Sequence, residues 1–150
     1  MADVASFEPI TGLTYGEIEL GMSASLENTV TETDIVAFAQ ITGDHNPVHL
    51  DAAYAAGTPF KGRISHGMLT ASYISAVFGM RLPGPGAIYV TQTLNFRRPV
   101  WIDDRITTTV TVVELLPQKQ RVRFECVCTN TEGKVVLEGE AMMMVPDRSD

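Results

Sequence analysis

Downstream of Pro83-Gly84-Pro85-Gly86, hydrophobic and polar positions alternate along the chain. Arg105 to Leu115 carries Ile106, Thr108, Val110 and Val112 on one face. Gln120 to Thr129 carries Val122, Phe124, Cys126 and Cys128, and Val135 to Val145 carries Val135, Leu137, Gly139, Ala141 and Met143. A period of two marks half-buried strands. Ala87 to Arg97, with Ile88, Tyr89, Val90, Leu94 and Phe96, predicts one more strand, and Tyr15 to Met22 alternates weakly enough to predict a first. Turn clusters at Asp103-Asp104, Pro117-Gln118 and Thr131-Glu132-Gly133 separate the later strands at spacings that suit an antiparallel meander. Residues 1–14 carry little pattern and predict an edge or poorly ordered segment.

Between the first strand and the Pro-Gly break the pattern is helical. Thr31 stands three residues before Asp34, a capping-box spacing with an acid in place of the usual Glu. Ile35, Val36, Phe38, Ala39 and Ile41 follow as an apolar stripe that Gly43 ends. Leu50 to Ala56 predicts a short helix stopped by Gly57 and Pro59, and Phe60 to Ile64 a loop carrying Lys61 and Arg63. Ser65 is placed to cap a third helix, from about 66 to 79, that is apolar on most sides and closed by Gly79. A helix apolar nearly all round is a buried one, and this one is too short to span a membrane. A sheet with one apolar face and a helix that needs wrapping satisfy each other, so the expected architecture is α+β, an antiparallel sheet curled around that helix.

Composition narrows the function. The chain has 150 residues, 45% of them hydrophobic, which predicts one globular domain over 1–150. A net charge of −7 argues against nucleic acid or an anionic membrane as partner, though not against a small anionic ligand met by local basic residues. No apolar run reaches membrane length, the N-terminal stretch is acidic where a targeting peptide would be basic, and Asp-Arg-Ser-Asp at the other end is no peroxisomal address, so the expectation is a cytoplasmic protein. Cys126 and Cys128 read as core residues, too close for a good disulfide and without a second pair for zinc.

Candidate chemistry concentrates at Gly43-Asp44-His45-Asn46-Pro47-Val48-His49-Leu50-Asp51. Asp44 and His49 would not share a helical face, and Pro47 disfavours a continuous helix here. A bent loop can instead turn both toward one point, where a carboxylate and an imidazole suit acid–base work on water or a substrate proton. The same residues also make good turn chemistry, with Asp and Asn capping backbone N–H groups and Gly closing the preceding helix. Composition and spacing leave both readings open.

Phe38 to Asp51, Ser65-His66-Gly67-Met68, and Asn95-Phe96-Arg97-Arg98-Pro99-Val100 within Tyr89 to Asp104 resemble, in this order and separation, the MaoC-like hydratases, and among them the (R)-specific enoyl-CoA hydratases. The resemblance spans roughly residues 27–145. It implies the hot-dog fold, a homodimer or higher homo-oligomer, and reversible hydration of trans-2-enoyl-CoA to (R)-3-hydroxyacyl-CoA. It also implies no metal and no cofactor beyond the coenzyme A thioester that is the substrate. The family's catalytic pair falls on Asp44 and His49, its main-chain oxyanion donor on Gly67, its intervening asparagine on Asn46, and a serine that supports the aspartate on Ser75. Asp103 stands where many members have Gly, which touches a turn only. His45 and His66 are lesser candidates, His66 as a support for the loop or the start of the helix. Lys61, Arg63, Arg97 and Arg98 could meet the coenzyme A phosphates. Residues near Ala76 to Met80 would line the end of an acyl tunnel, with bulky Phe78 and Met80 limiting its length. The competing readings are a 3-hydroxyacyl-carrier-protein dehydratase, a hot-dog acyl-CoA thioesterase and a non-catalytic acyl-thioester-binding subunit. Chain length, physiological direction and which of Asp44 and His49 is the base stay open.

Overall fold

The alternating stretches do become the sheet. A computed structural model describes residues 11–147. In chain order the elements are β1 (Ser23–Thr29), α1 (Glu32–Thr42), α2 (Pro47–Leu50), α3 (Ala52–Ala56), α4 (Gly67–Met80), β2 (Ile88–Gln92), β3 (Asn95–Phe96), β4 (Arg105–Leu116), β5 (Arg121–Thr129) and β6 (Val135–Met144). The strands form one antiparallel sheet in the order β1-β4-β5-β6-β2, with β3 also on β6. The last three strands are the expected meander. Ile106, Val110 and Val112 on β4, and Val122, Phe124, Cys126 and Cys128 on β5, are all buried, so the period of two named the inward face correctly.

Three expectations need correction. The first strand is not Tyr15 to Met22: Tyr15–Glu17 is a 3-10 turn whose capping box ties Thr14 to Glu17, and β1 begins at Ser23. Pairing with β4, Ser23 opposite Thr111 through Thr29 opposite Arg105, overrides the weak local pattern. The strand expected over 87–97 divides into β2 and β3, with a bulge between Tyr89 and Thr91. On β6 a bulge between the pairs Cys128–Leu137 and Thr129–Val135 turns Val136 inward beside Leu137. Of the segment expected to be an edge, 1–10 lie outside the described residues; Leu13 N–H bonds the Pro83 carbonyl at 2.8 Å.

The central helix has the expected place and a different burial. Thr70, Tyr73, Ile74, Val77 and Phe78, at helical spacing, face the sheet, and Phe78 meets the rings of Tyr89 and Phe124 at 5.3 and 4.9 Å. Met68, Ser72, Ser75, Gly79 and Met80 stay exposed, because in this chain the sheet covers one side only. The helix does not stop at Gly79 but runs to Met80, and its N-cap is His66 rather than Ser65. Ser65 N–H is committed to the Val100 carbonyl at 2.7 Å, which ties the start of α4 to the segment leading into β4. The described residues contain no helix long and apolar enough to cross a membrane.

Candidate active site

Side chains bonding to nearby backbone shape the Gly43–Asp51 stretch. Thr31 and Asp34 cap α1 reciprocally at 3.1 Å each, and Gly43, at φ 81°, ends it in the left-handed region that favours glycine. Thr42 Oγ1 accepts from Asp44 N–H (3.1 Å), Asp44 Oδ1 from Asn46 N–H (3.2 Å), and Asn46 Oδ1 from Val48 N–H (3.2 Å). Pro47 takes the first helical position of α2, where its missing N–H costs nothing. The expected bend therefore contains one helical turn, and that turn delivers His49. Asn46 is occupied as its cap. Leu50 belongs to α2, and α3 begins after Asp51, whose carboxylate caps it.

His49 is buried, with its Nδ1 2.8 Å from the Ile64 carbonyl oxygen. A carbonyl only accepts, so Nδ1 carries the proton and Nε2 is left as the acceptor. Burial, the largest influence, lowers the His49 pKa, against the Ile64 bond, which raises it; the electrostatic influence of neighbouring His66 lowers it further, and Asp44 pulls the other way. Neutral imidazole is thus the resting form near pH 7. His66 stacks on His49 at 3.9 Å between ring centroids, and its Nε2 donates to the Asp44 carbonyl at 3.1 Å. Ligand atoms of Asp44, His49 and His66 all lie within 4.8 Å of one another. That cluster does not fit a metal: two rings only 28° from parallel keep their in-plane lone pairs in separate planes instead of converging on one ion.

His49 opens onto a cavity of about 380 Å3 that Gly67 and Thr70 of the first α4 turn also line. Gly67 N–H sits at the first position of the helix, where an N–H has no intrahelical partner and the helix dipole is positive. A Cβ there would stand 2.7 Å from Phe96 Cε1, so any larger residue displaces that ring. Asp44 is exposed beside this cavity rather than buried in it.

The remaining expected site residues divide. Arg97 and Arg98 line the cavity; Arg97 is paired with Glu138 at 2.7 Å, and Arg98 donates to the Val135 carbonyl at 2.6 Å. Both N–H groups bond the Val136 carbonyl, so the β6 bulge holds them. Arg63 faces inward instead. Its Nε donates to the His49 carbonyl at 2.8 Å and its Nη1 pairs with Glu32 at 2.6 Å, which clamps α2 to α1. Lys61 is exposed, in a left-handed conformation at φ 63°. Ser75 lies on the exposed face of α4 two turns beyond Gly67, and its hydroxyl bonds nothing among the described residues. The structure does not bring Phe78 and Met80 to the cavity: Phe78 is core, and Met80 is 40% exposed at the far end of α4. The apolar walls are Phe60, Phe96, Val136 and Leu137. Alternation marked Leu137 and Phe96 as strand residues, but only the fold turns them to the cavity. His45 points away and bonds the Gly43 carbonyl.

The family model described as the MaoC like domain matches residues 16–137. An (R)-specific enoyl-CoA hydratase of Rhodospirillum rubrum is 55% identical over 89% of this chain and 92% of its own length. A 3-hydroxybutyryl-CoA dehydratase of Methylorubrum extorquens is 49% identical over 92% of this chain and 87% of its own. The solved structure of an unliganded R-hydratase from Pseudomonas aeruginosa superposes with a TM-score of 0.87 at 48% identity, covering 91% of this chain and 88% of that one.

Proposed function

The chain belongs to the MaoC-like domain family and has its hot-dog fold, and on that premise we propose that it is an (R)-specific enoyl-CoA hydratase, a hydro-lyase adding water to trans-2-enoyl-CoA. The observation that carries the chemistry is the polarity of His49: its Nδ1 proton is held by Ile64, leaving Nε2 as a neutral acceptor at the cavity with the Asp44 carboxylate close by.

In this reading the thioester carbonyl accepts the Gly67 N–H, and a water rests between Asp44 and His49. As the water oxygen bonds to C3, His49 Nε2 takes one of its protons. The C2–C3 π electrons move toward the carbonyl, whose oxygen gains negative charge beside Gly67. The imidazolium, held by Asp44, returns the proton to C2 on the same face, so one water is consumed and both residues end as they began. A positioned acid–base group is worth about 10²–10⁴-fold and an oxyanion donor about 10²–10³-fold. Arg97 and Arg98 flank the coenzyme A end. No metal or other cofactor takes part.

The same proposal includes a cytoplasmic homodimer. Strand β2 ends the sheet order, Ile88 and Tyr89 on it are 47% and 39% exposed, and the uncovered face of α4 bears Met68 and Met80. An unpaired edge beside exposed apolar side chains supports self-association.

The test follows loss of the enoyl absorbance of crotonyl-CoA, with the product passed to an (R)-specific 3-hydroxyacyl-CoA dehydrogenase. Rapid loss with (R) product is expected, and Asp44→Ala and His49→Ala should each lower the rate about 10²-fold or more. Release of free thiol would make the protein a thioesterase. Folded Asp44→Ala and His49→Ala proteins at near-full rate would remove both residues from the mechanism.

A further inference from the structure

We propose that His66 is the positioning residue that holds Asp44 and His49 in register for catalysis. The inference rests on the hydratase reading and adds a residue whose side chain touches both members of the pair. His66 is 2% exposed, and three elements meet on it. Phe38 of α1 packs on its ring at 4.9 Å, His49 of α2 stacks on it at 3.9 Å, and the Asp44 carbonyl accepts its Nε2–H at 3.1 Å. As N-cap of α4 it is also the residue immediately before the Gly67 N–H. One imidazole therefore joins the Asp44 main chain, the His49 ring and the turn that bears the Gly67 N–H.

Core stability does not account for a histidine here. A phenyl ring would fill the same space between Phe38 and His49 without burying two nitrogens. His66 Nδ1 has no protein partner among the described residues, and neither does the buried Thr70 hydroxyl four residues on. A buried polar group left unpaired costs about 1–3 kcal/mol. What the imidazole adds over a phenyl ring is the Nε2–H on Asp44. That bond matters because it fixes the Asp44 main chain, from which the exposed carboxylate projects; the carboxylate's own partner within the loop is the Asn46 N–H at 3.2 Å. His66 does not line the cavity, so its effect should fall on the chemical step and spare binding.

Two substitutions separate ring from donor. His66→Phe keeps the stacking and loses the bond to Asp44; His66→Gln keeps an N–H donor and loses the ring. With crotonyl-CoA, His66→Phe should lower kcat about 10²-fold, the cost of a misplacement near 1 Å, with KM little changed, and His66→Gln should recover part of the loss. A folded His66→Phe protein with wild-type kcat, or one whose loss lies in KM alone, overturns the proposal. The wild-type protein gives a reading that needs no buried variant to fold. The chain has three histidines, so the exposed-site variant His45→Gln leaves only the imidazole 15N signals of His49 and His66. One Nδ1–H ring, His49 on the Ile64 carbonyl, and one Nε2–H ring, His66 on the Asp44 carbonyl, are expected; two Nδ1–H rings overturn the proposal. Wild-type protein that fails to hydrate enoyl-CoA would refute the hydratase reading instead, and the tautomers would still report on the geometry.

Discussion

Replacing Gly67 with alanine tests whether the thioester seats at the first turn of α4. An ideal Cβ at Gly67 would lie 2.7 Å from Phe96 Cε1 and 2.9 Å from Cδ1. Carbon atoms in contact sit at about 3.5–4.0 Å, so the ring must withdraw by about 1 Å. Phe96 is 54% exposed and ends a two-residue strand, so it can move at little cost. Alanine's higher helix propensity, up to about 1 kcal/mol, offsets part of the strain. The net change in stability should stay within about 1 kcal/mol, a shift in Tm of a few degrees for a chain of this size. Activity should respond far more. Gly67 and Phe96 are both cavity wall, and the new methyl lies between them, where the carbonyl must approach the N–H. Displacing that carbonyl by about 1 Å should lower kcat/KM by about 10²-fold. The assay is crotonyl-CoA hydration beside a thermal melt of the same protein. Gly67→Ala with Phe96→Leu should restore part of the rate, because the smaller side chain vacates the contact. A folded Gly67→Ala protein with wild-type kcat/KM would refute the placement of the thioester at this turn.

The depressed His49 pKa gives a pH profile with a defined sign. The acid limb of kcat/KM should fall with an apparent pKa below about 6.5, as Nε2 becomes protonated; a limb centred above that value would refute a buried neutral base. Because the unfolded chain binds the proton more readily, His49 should add to stability above about pH 6.5, and that contribution should be lost as pH falls through the lower folded pKa; urea melts across pH 5–8 check the slope. Arg63→Met should cost about 2 kcal/mol in thermal melts, since it strips a bond from the His49 carbonyl, whereas Glu32→Gln, at a carboxylate 63% exposed, should cost less than about 1. Arg97→Gln with Arg98→Gln should raise KM for crotonyl-CoA and leave crotonyl-N-acetylcysteamine, which lacks the phosphates, unaffected; equal effects on both substrates would place these residues against the acyl part.

Much of this was legible from local pattern, and the reason is that the forces involved act between near neighbours. Thr31 with Asp34, Gly43, Asn46 with Pro47, and Asp51 with Tyr54 bond backbone groups within four residues, so the helix starts and the bend that holds Asp44 and His49 follow from residue types at short spacing. Alternation named the buried faces of β4 and β5 because side-chain direction in a strand is fixed by parity. Where local and long-range preferences disagreed, the long-range partner decided. Pairing with β4 moved β1 to Ser23, and a bulge against β5 turned Val136 inward. The apolar texture of α4 could not say which face meets the sheet, and so could not say that Phe78 is core while Gly67 and Thr70 open onto the cavity. Likewise nothing local announces that Ile64 fixes the His49 proton, that Arg63 turns inward, or that His66 stacks on His49 seventeen residues away. The sequence by itself determined the elements, their caps and the residue types of the site. Tertiary structure alone decided the distances among them, because those depend on how α1, α2 and the start of α4 pack together.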